Sequence, residues 1–367
     1  MKARVLAMLV ASGIVAAATS AGADGRGNDD KFEDKITVAV FGDWPYNQLL
    51  LDNADLLTGS INGEPDVRAV IHVGDIHSGS MACTSAGILP PIPTSNPGWN
   101  QKVYSQFQQF NAPVVYTPGD NEWTDCQKTK EFKSGAPLKE LASVRSLFFA
   151  RPGHTLGLED MEVLTQAQHF DPKFPADAQF VENVMWQAGK VVFLTLNMPG
   201  SNNDTLPWAN GFDDPAGQSA EVKARTDANI RWMQAAFAQA SRTYARAVVI
   251  ALQADMWDRA ALPPGGDGLD AYTPFVTALA NAALGFGRPV LLLNGDSHLF
   301  EADHPLLDPA SLAIHRTRPV PNLTRITVQG STNAPAEWLR LTIDTRKSNP
   351  FSWTNIPYCA DPTTHCE

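Results

Sequence analysis

RAVIHVGDIHSG, residues 68–79, decides how this chain is read: an apolar, β-prone run stops at a turn built on Gly74 and Asp75. Three other blocks have the same form: ITVAVFGDW (36–44, with Asp43), APVVYTPGDNEWTDC (112–126, with Asp120, Asn121 and Glu122) and PVLLLNGDSH (289–298, with Asp296 and His298). Short runs rich in Val, Ile and Leu that end in a turn residue read as strands covered on both faces. Open α/β sheets place their ligands outside the carboxyl ends of such strands. Ends that converge on one sheet edge would gather carboxylates and an imidazole in one pocket, a set that holds divalent metal ions.

Working outward, further strands are predicted at 190–197, 246–252, 324–329 and 339–344. Helices are predicted at 100–110, 137–150, 219–241 and 271–285. The first places Val103, Phe107 and Phe110 at helical spacing, and the second opens on a proline, which suits a first helical position. Strands alternating with helices define an α/β layered fold. The segments 85–99, 151–180 and 199–218 are rich in Pro, Gly, Asn and Asp and read as long loops. No linker divides the chain, and 346–367 reads as a tail packed across the surface.

The chain has 367 residues, 44% of them hydrophobic, and a formal charge of −11. That balance argues against a nucleic acid held through its phosphates and against an anionic membrane surface. Residues 1–23 have the form of a cleaved secretory signal: Lys2 and Arg4, an apolar run from Val5 to Ala18, and small residues at Ala21, Gly22 and Ala23. The run is short for a bilayer span. Residues 24–34 read as a polar leader, and 35–345 as the folded domain. The expected location is therefore periplasmic or extracellular, with no membrane span after cleavage. In an oxidising compartment Cys83, Cys126, Cys359 and Cys366 would form two disulfides, with three pairings open. Cys359 with Cys366 would staple the C-terminus. Cys83 with Cys126 would clamp two loops beside the pocket if those strand ends are neighbours.

In order and spacing these blocks resemble the calcineurin-like metallophosphoesterases over about residues 36–330. That family runs Asp-x-His, Gly-Asp, Gly-Asn-His-Glu, a lone His after a strand, and Gly-His-x-His. This chain offers Asp43-Trp44-Pro45, Gly74-Asp75, Gly119-Asp120-Asn121-Glu122, Gln253, and Gly295-Asp296-Ser297-His298. The resemblance implies a layered α/β/β/α sandwich. It implies Asp75 as a ligand bridging two ions, Asp43 and His298 as further ligands of one, and Asp120, Gln253 and Asp296 as ligands of the other. A small phosphorylated substrate, a monoester or diester, would be cleaved by metal-activated water.

Several positions depart from the family pattern. Pro45 stands where the family has a histidine ligand, Gln253 and Asp296 replace two more, and Asp120 replaces asparagine. Asn121 replaces the histidine that meets substrate phosphate. Oxygen thus replaces nitrogen, which favours one or two Mg²⁺, Mn²⁺ or Ca²⁺ ions over zinc. Two ions among four carboxylates would be neutralised more fully than in the family, so a weaker or more selective catalyst is expected. Tyr46 could offer a phenolate oxygen, or could bond elsewhere. His77, two residues past Asp75, is a candidate phosphate contact or proton donor alongside Asn121; the other reading is an exposed loop histidine. His72, in mid-strand, reads as a satisfied core residue. Trp44, Trp123 and Trp257 would wall the pocket or fill the core under the loops. The competing function is a non-catalytic metal- or ligand-binding protein on the same fold. A serine hydrolase is disfavoured by the absence of a Gly-x-Ser-x-Gly elbow.

Overall fold

The computed structural model describes residues 34–83 and 98–366; the expected signal at 1–23, all but the last residue of the leader, and most of the 85–99 loop lie outside the described residues. Among the described residues twelve strands form two mixed sheets. One has the order β12 (Phe351–Cys359), β11 (Ala336–Asp344), β1 (Lys35–Phe41), β2 (Val67–His72), β3 (Val114–Tyr116). The other has the order β4 (Leu164–Thr165), β5 (Val184–Ala188), β6 (Val191–Thr195), β7 (Ala247–Ala251), β8 (Val290–Asn294), β10 (Leu323–Thr327), β9 (Glu301–Asp303).

Side chains alternate across each strand, so both faces of each sheet find a core. Ile36, Val38 and Val40 of β1 meet Phe193, Val249 and Leu291 of the other sheet in a buried cluster between the two. Ala39 and Phe41 point the other way, onto the helices Ala54–Asn62, Trp99–Phe107 and Pro137–Phe148. On the far side, Val192, Val248 and Leu292 pack against Trp232, Met233, Phe275 and Leu279 of helices Pro215–Arg242 and Thr273–Phe286. The order of layers is thus helix, sheet, sheet, helix.

Within the first sheet β1, β2 and β3 run parallel, and within the second so do β6, β7, β8 and β10. Parallel pairing brings the carboxyl ends of neighbouring strands to one edge, and that places the Gly-Asp turns together. Among the described residues no helix is long and apolar enough to cross a membrane.

The end of the chain differs from the expected surface tail. Phe351–Cys359 is a full antiparallel partner of β11, from Ala336 opposite Cys359 to Ile343 opposite Phe351. It is an edge strand with many exposed side chains and Pro357 inside it, so it has no apolar run to announce it. The disulfides are Cys83–Cys126 and Cys359–Cys366, and no cysteine among the described residues is free.

Candidate metal centre

Three of the four carboxylates, and His298, follow strand ends in left-handed turns. Asp43, Asp75, Asp296 and His298 have φ of 51°, 61°, 75° and 63°. Left-handed backbone at non-glycine residues is costly and persists where the surroundings over-determine it. Here the turns bind one another: the Asp43 amide donates to the Gly74 carbonyl, the Trp44 amide to the Asp75 carbonyl, and the Gly295 amide to the Gln253 carbonyl, at 2.9–3.0 Å. Glu122 adds a buried brace. Its Oε1 accepts from the amides of Gly119 at 2.7 Å and Asp75 at 3.2 Å and from the Tyr116 hydroxyl at 2.6 Å. Close approach demands glycine at two places. A Cβ on Gly119 would lie 2.0 Å from Asp75 Oδ1, and one on Gly200 2.7 Å from Asp296 Oδ1 and 2.8 Å from Asp120 Oδ2.

The carboxylates converge around two hydrogen-bond donors. Tyr46 Oη lies 2.9 Å from Asp43 Oδ1, 3.0 Å from Asp75 Oδ2 and 3.2 Å from His298 Nε2. Gln253 Nε2 donates to Asp75 Oδ2 and to Asp120 Oδ1, both at 3.1 Å. Asp75 therefore stands between the two groups. Ser201 Oγ reaches Asp120 Oδ2 at 2.8 Å, and Asp296 Oδ2 accepts from the Asp255 amide at 2.9 Å. Gln253 Oε1 accepts from the Gly200 amide, so the side chain presents its nitrogen to the carboxylates and turns its oxygen away. In this arrangement Gln253 is a donor to the cluster, where an oxygen ligand was expected.

The charge in this cluster is poorly met. Asp43 is 0%, Asp75 2% and Asp120 6% exposed. Among the described residues Asp75, Asp120 and Asp296 make no ion pair, and Asp43 has only His298 at 3.4 Å. Asp43 Oδ2 is buried with no hydrogen-bond partner. Tyr46 has a single hydroxyl hydrogen for two carboxylates. Burial, then the charges of Asp120, Glu122 and Asp43, hold Asp75 well above the usual carboxylate range. Burial and the charge of Asp120 do the same to Asp296, and burial with Asp125 raises Asp120. Burial alone would lower His298, but the Asp43 contact and the charges of Asp43, Asp296 and Asp120 raise it. Burial and the neighbouring carboxylates keep Tyr46 protonated, far above the ordinary phenol value.

An oxygen-rich, under-compensated cluster of this kind fits hard divalent cations, with Asp43, Asp75, Asp120, Asp296 and His298 as the available ligands. Among the described residues, three ligand atoms of His, Cys, Asp or Glu come within 4.8 Å of one another only at Cys83, Cys126 and Glu131, a grouping that offers no thiolate because its sulfurs are joined; the strand-end carboxylates, spaced around Tyr46 and Gln253, would have to draw closer to hold an ion.

A cavity of about 350 Å³ opens onto the cluster, with Asp75, Asp120, Asn121, Asp296 and His298 in its wall. Asn121 Nδ2 donates to Tyr46 Oη at 3.2 Å and to the His77 carbonyl at 3.1 Å. The expectation for His77 fails: its side chain is not part of the wall, the residue is 1% exposed, and burial lowers its pKa to about 4. Its Nδ1 donates to the Ser78 carbonyl at 3.1 Å. It can neither meet a phosphate nor supply a proton from there, and it is not an exposed loop residue either. Trp44, Trp123 and Trp257 are 1%, 0% and 3% exposed and belong to the packing beneath the loops. His72 is a satisfied core residue: its Nδ1 accepts from the Gly74 amide at 3.1 Å, and its Nε2 donates to the Trp44 carbonyl at 3.0 Å.

The wall also contains Ser201 and Asn202, from the run Gly200-Ser201-Asn202-Asn203 that reads in the sequence as a turn or as a substrate hydrogen-bonding segment, and Lys130, which the sequence did not single out. Lys130 gives no signal in a charged loop sequence. Ser201, Asn202 and Asn203 do give one, as a run of small polar residues after β6. They form a left-handed turn with φ of 52°, 51° and 58°. Arg225, fully buried, holds it through Asn203 Oδ1 and, at 3.2 Å, the Asn203 carbonyl.

No family model matches this chain, and no curated protein matches it. Among solved structures, GAP50, the anchor in the inner membrane complex of Plasmodium, is similar over 89% of this chain and 90% of its own, with 9% identity and a TM-score of 0.44. A likeness at that level carries no argument about this chain.

Proposed function

We propose that this protein is an exported, metal-dependent phosphoesterase with a calcineurin-like metallophosphoesterase sandwich, acting on a small phosphomonoester or phosphodiester. The observation that carries the reading is the meeting of Asp75, Asp120, Asp296 and His298, from the ends of separate parallel strands, in the wall of one open cavity, with Asp43 buried behind them on Tyr46. Two disulfides fit an oxidising compartment.

A divalent ion bound there would neutralise phosphoryl charge and lower the pKa of a water molecule beside it. The chain's own part is placement. Asp75, in contact with both donor groups, would be the residue shared between two ions; Asp43 and His298 would serve one, Asp120 and Asp296 the other. Asn121, in the cavity wall beside Asp75, stands where the family's histidine would meet a phosphoryl oxygen, and to donate to one its Nδ2 would have to leave Tyr46 Oη or the His77 carbonyl. It lacks an acidic hydrogen for the leaving group, so good leaving groups such as aryl alcohols are favoured.

The second reading is a binding protein without turnover, and one observation favours it. Tyr46 and Gln253 already occupy the centres of the two carboxylate groups as donors. The discriminating experiment loads the mature protein with Mn²⁺ or Mg²⁺ and assays aryl phosphate mono- and diesters. Turnover that vanishes in Asp75→Asn supports the enzyme. Bound metal with no turnover on a broad panel supports the binder.

A further inference from the structure

We infer that Ser201 selects the cation: by holding one oxygen of Asp120 it limits that carboxylate to a single ligand atom, which suits a small octahedral ion such as Mn²⁺ or Mg²⁺ and disfavours Ca²⁺. This rests on the reading of the carboxylate cluster as a cation site.

The Asp120 carboxylate is held at both oxygens. Oδ1 takes Gln253 Nε2 at 3.1 Å, one of the two donors that an entering ion would displace, and Oδ2 takes the Ser201 hydroxyl at 2.8 Å. Lys128 Nζ donates to Ser201 Oγ at 2.7 Å, so that oxygen accepts from an ammonium and has one hydrogen of its own to give. Two acceptors lie at 2.8 Å, Asp120 Oδ2 and Asp125 Oδ1. Asp125 Oδ1 already has Lys128 Nζ at 2.7 Å and the Thr124 hydroxyl at 3.2 Å, whereas Ser201 is the only donor to Asp120 Oδ2 among the described residues. The hydrogen is therefore assigned to Asp120, and the ammonium behind it strengthens the bond. The backbone aims it there: Ser201 sits at φ 52° and ψ 43°, in the left-handed turn that Arg225 holds.

Two neighbouring carboxylates are anchored in the same way by backbone donors. Asp75 Oδ1 accepts from the Asn121 amide at 3.2 Å, and Asp296 Oδ2 from the Asp255 amide at 2.9 Å. Asp75, Asp120 and Asp296, all in the cavity wall, thus each have one oxygen committed to the protein. As they draw in on an ion, each can give its other oxygen without breaking its anchor. Ca²⁺ takes about six to eight oxygens, often with a bidentate carboxylate, whereas Mg²⁺ demands near-ideal octahedral geometry, which Mn²⁺ also adopts. A set of single oxygens meets the second requirement and starves the first. Of the three anchors only Ser201 is a side chain, so it is the one that a substitution can remove. Its loss frees Asp120 Oδ2 to chelate and leaves Lys128 paired with Asp125.

The test titrates Mn²⁺ and Ca²⁺ separately into chelator-treated wild type, Ser201→Gly and Ser201→Ala, with circular dichroism to check the fold. Glycine accepts the left-handed φ, and alanine repeats the deletion with the Cβ kept. Wild type should bind Mn²⁺ more tightly than Ca²⁺. The ratio of the two affinities should fall at least about tenfold in both variants, within the range that the partners of metal ligands command. A Ser201 that served the fold alone would weaken both ions alike. Equal weakening of Mn²⁺ and Ca²⁺ binding, or no change in either, overturns this inference alone, as does a wild type that binds Ca²⁺ at least as tightly as Mn²⁺. A wild-type protein that binds neither ion overturns it together with the reading on which it rests.

Discussion

The phenol oxygen of Tyr46 lies 3.0 Å from Asp75 Oδ2, inside the ring of carboxylates that the strand ends create. One hydroxyl hydrogen there stands in for charge that a cation would bring. Tyr46→Phe removes it and leaves two buried acceptors with one donor fewer. Without metal, the variant should lose about 1–3 kcal/mol of stability, the usual cost of an unsatisfied buried group. Saturating Mn²⁺ should shrink that loss, because the ion takes over the carboxylates. Urea denaturation with chelator and with Mn²⁺ measures both. An equal loss in the two conditions would mean that Tyr46 contributes packing alone.

Asp296 tests the electrostatics. Burial and Asp120 hold its pKa well above the unfolded value of ~3.9. A folded pKa above the unfolded one gives stability that is fully present below ~3.9 and lost as pH rises through the folded value. At neutral pH the ionised Asp296 is therefore a burden, which Asn does not carry, and Asn tolerates the φ of 75°. Metal-free Asp296→Asn should exceed wild type by about 1 kcal/mol or more at pH 7.5, since one pKa unit corresponds to ~1.4 kcal/mol. The gap should close as pH falls towards ~4. Burial lowers His72 and His77 to about 4, and they cost stability below ~6.5 in both proteins, so the difference isolates Asp296. A gap independent of pH would refute the assignment.

Gly200 tests the packing around the same cluster. Gly200→Ala would force a Cβ against Asp296 Oδ1 and Asp120 Oδ2. Displacing two of the available ligands should weaken Mn²⁺ binding at least about tenfold, as ligand-shell changes commonly do. The circular dichroism spectrum should stay that of the wild type. Unchanged Mn²⁺ affinity would show that Asp120 and Asp296 do not hold the ion.

The Cys83–Cys126 bridge closes a loop with a sequence separation of 43. Loop-closure entropy assigns it about 4 kcal/mol, and the Cys83→Ser, Cys126→Ser double variant should lose an amount of that order in chemical denaturation. A loss well below 1 kcal/mol would mean that the two loops are held without it.

The sequence shows the central strands because β1, β2, β7 and β8 are apolar runs buried on both faces and stopped by turn residues. It hides β12, half exposed and interrupted by Pro357, and β5, whose VMWQA is short and has Gln187 exposed near its end. The helices at Gln48–Asp52 and Ala54–Asn62 are also hidden, since their apolar residues follow a glycine- and proline-marked strand end that reads as loop. Asp43, Asp75, Asp120 and Asp296 are legible as a set because parallel pairing brings strand ends together. The roles of Tyr46 and Gln253 are not, because which atom of Gln253 faces Asp75, 178 residues away in the chain, is set by the Gly200 amide. His77 misleads for the same kind of reason: nothing local tells that its ring turns inward, away from the wall that Asn121 joins.

Calorimetric titration of Mn²⁺ into chelator-treated protein, with Asp75→Asn in parallel, addresses the proposed cation site most directly. Wild type should bind one or two ions with micromolar or tighter affinity, and Asp75→Asn should lose most of that binding. No binding by wild type would show that Tyr46 and Gln253 close the carboxylate cluster, and equal binding by the two proteins would show that the ion sits away from Asp75; either result contradicts the cation site.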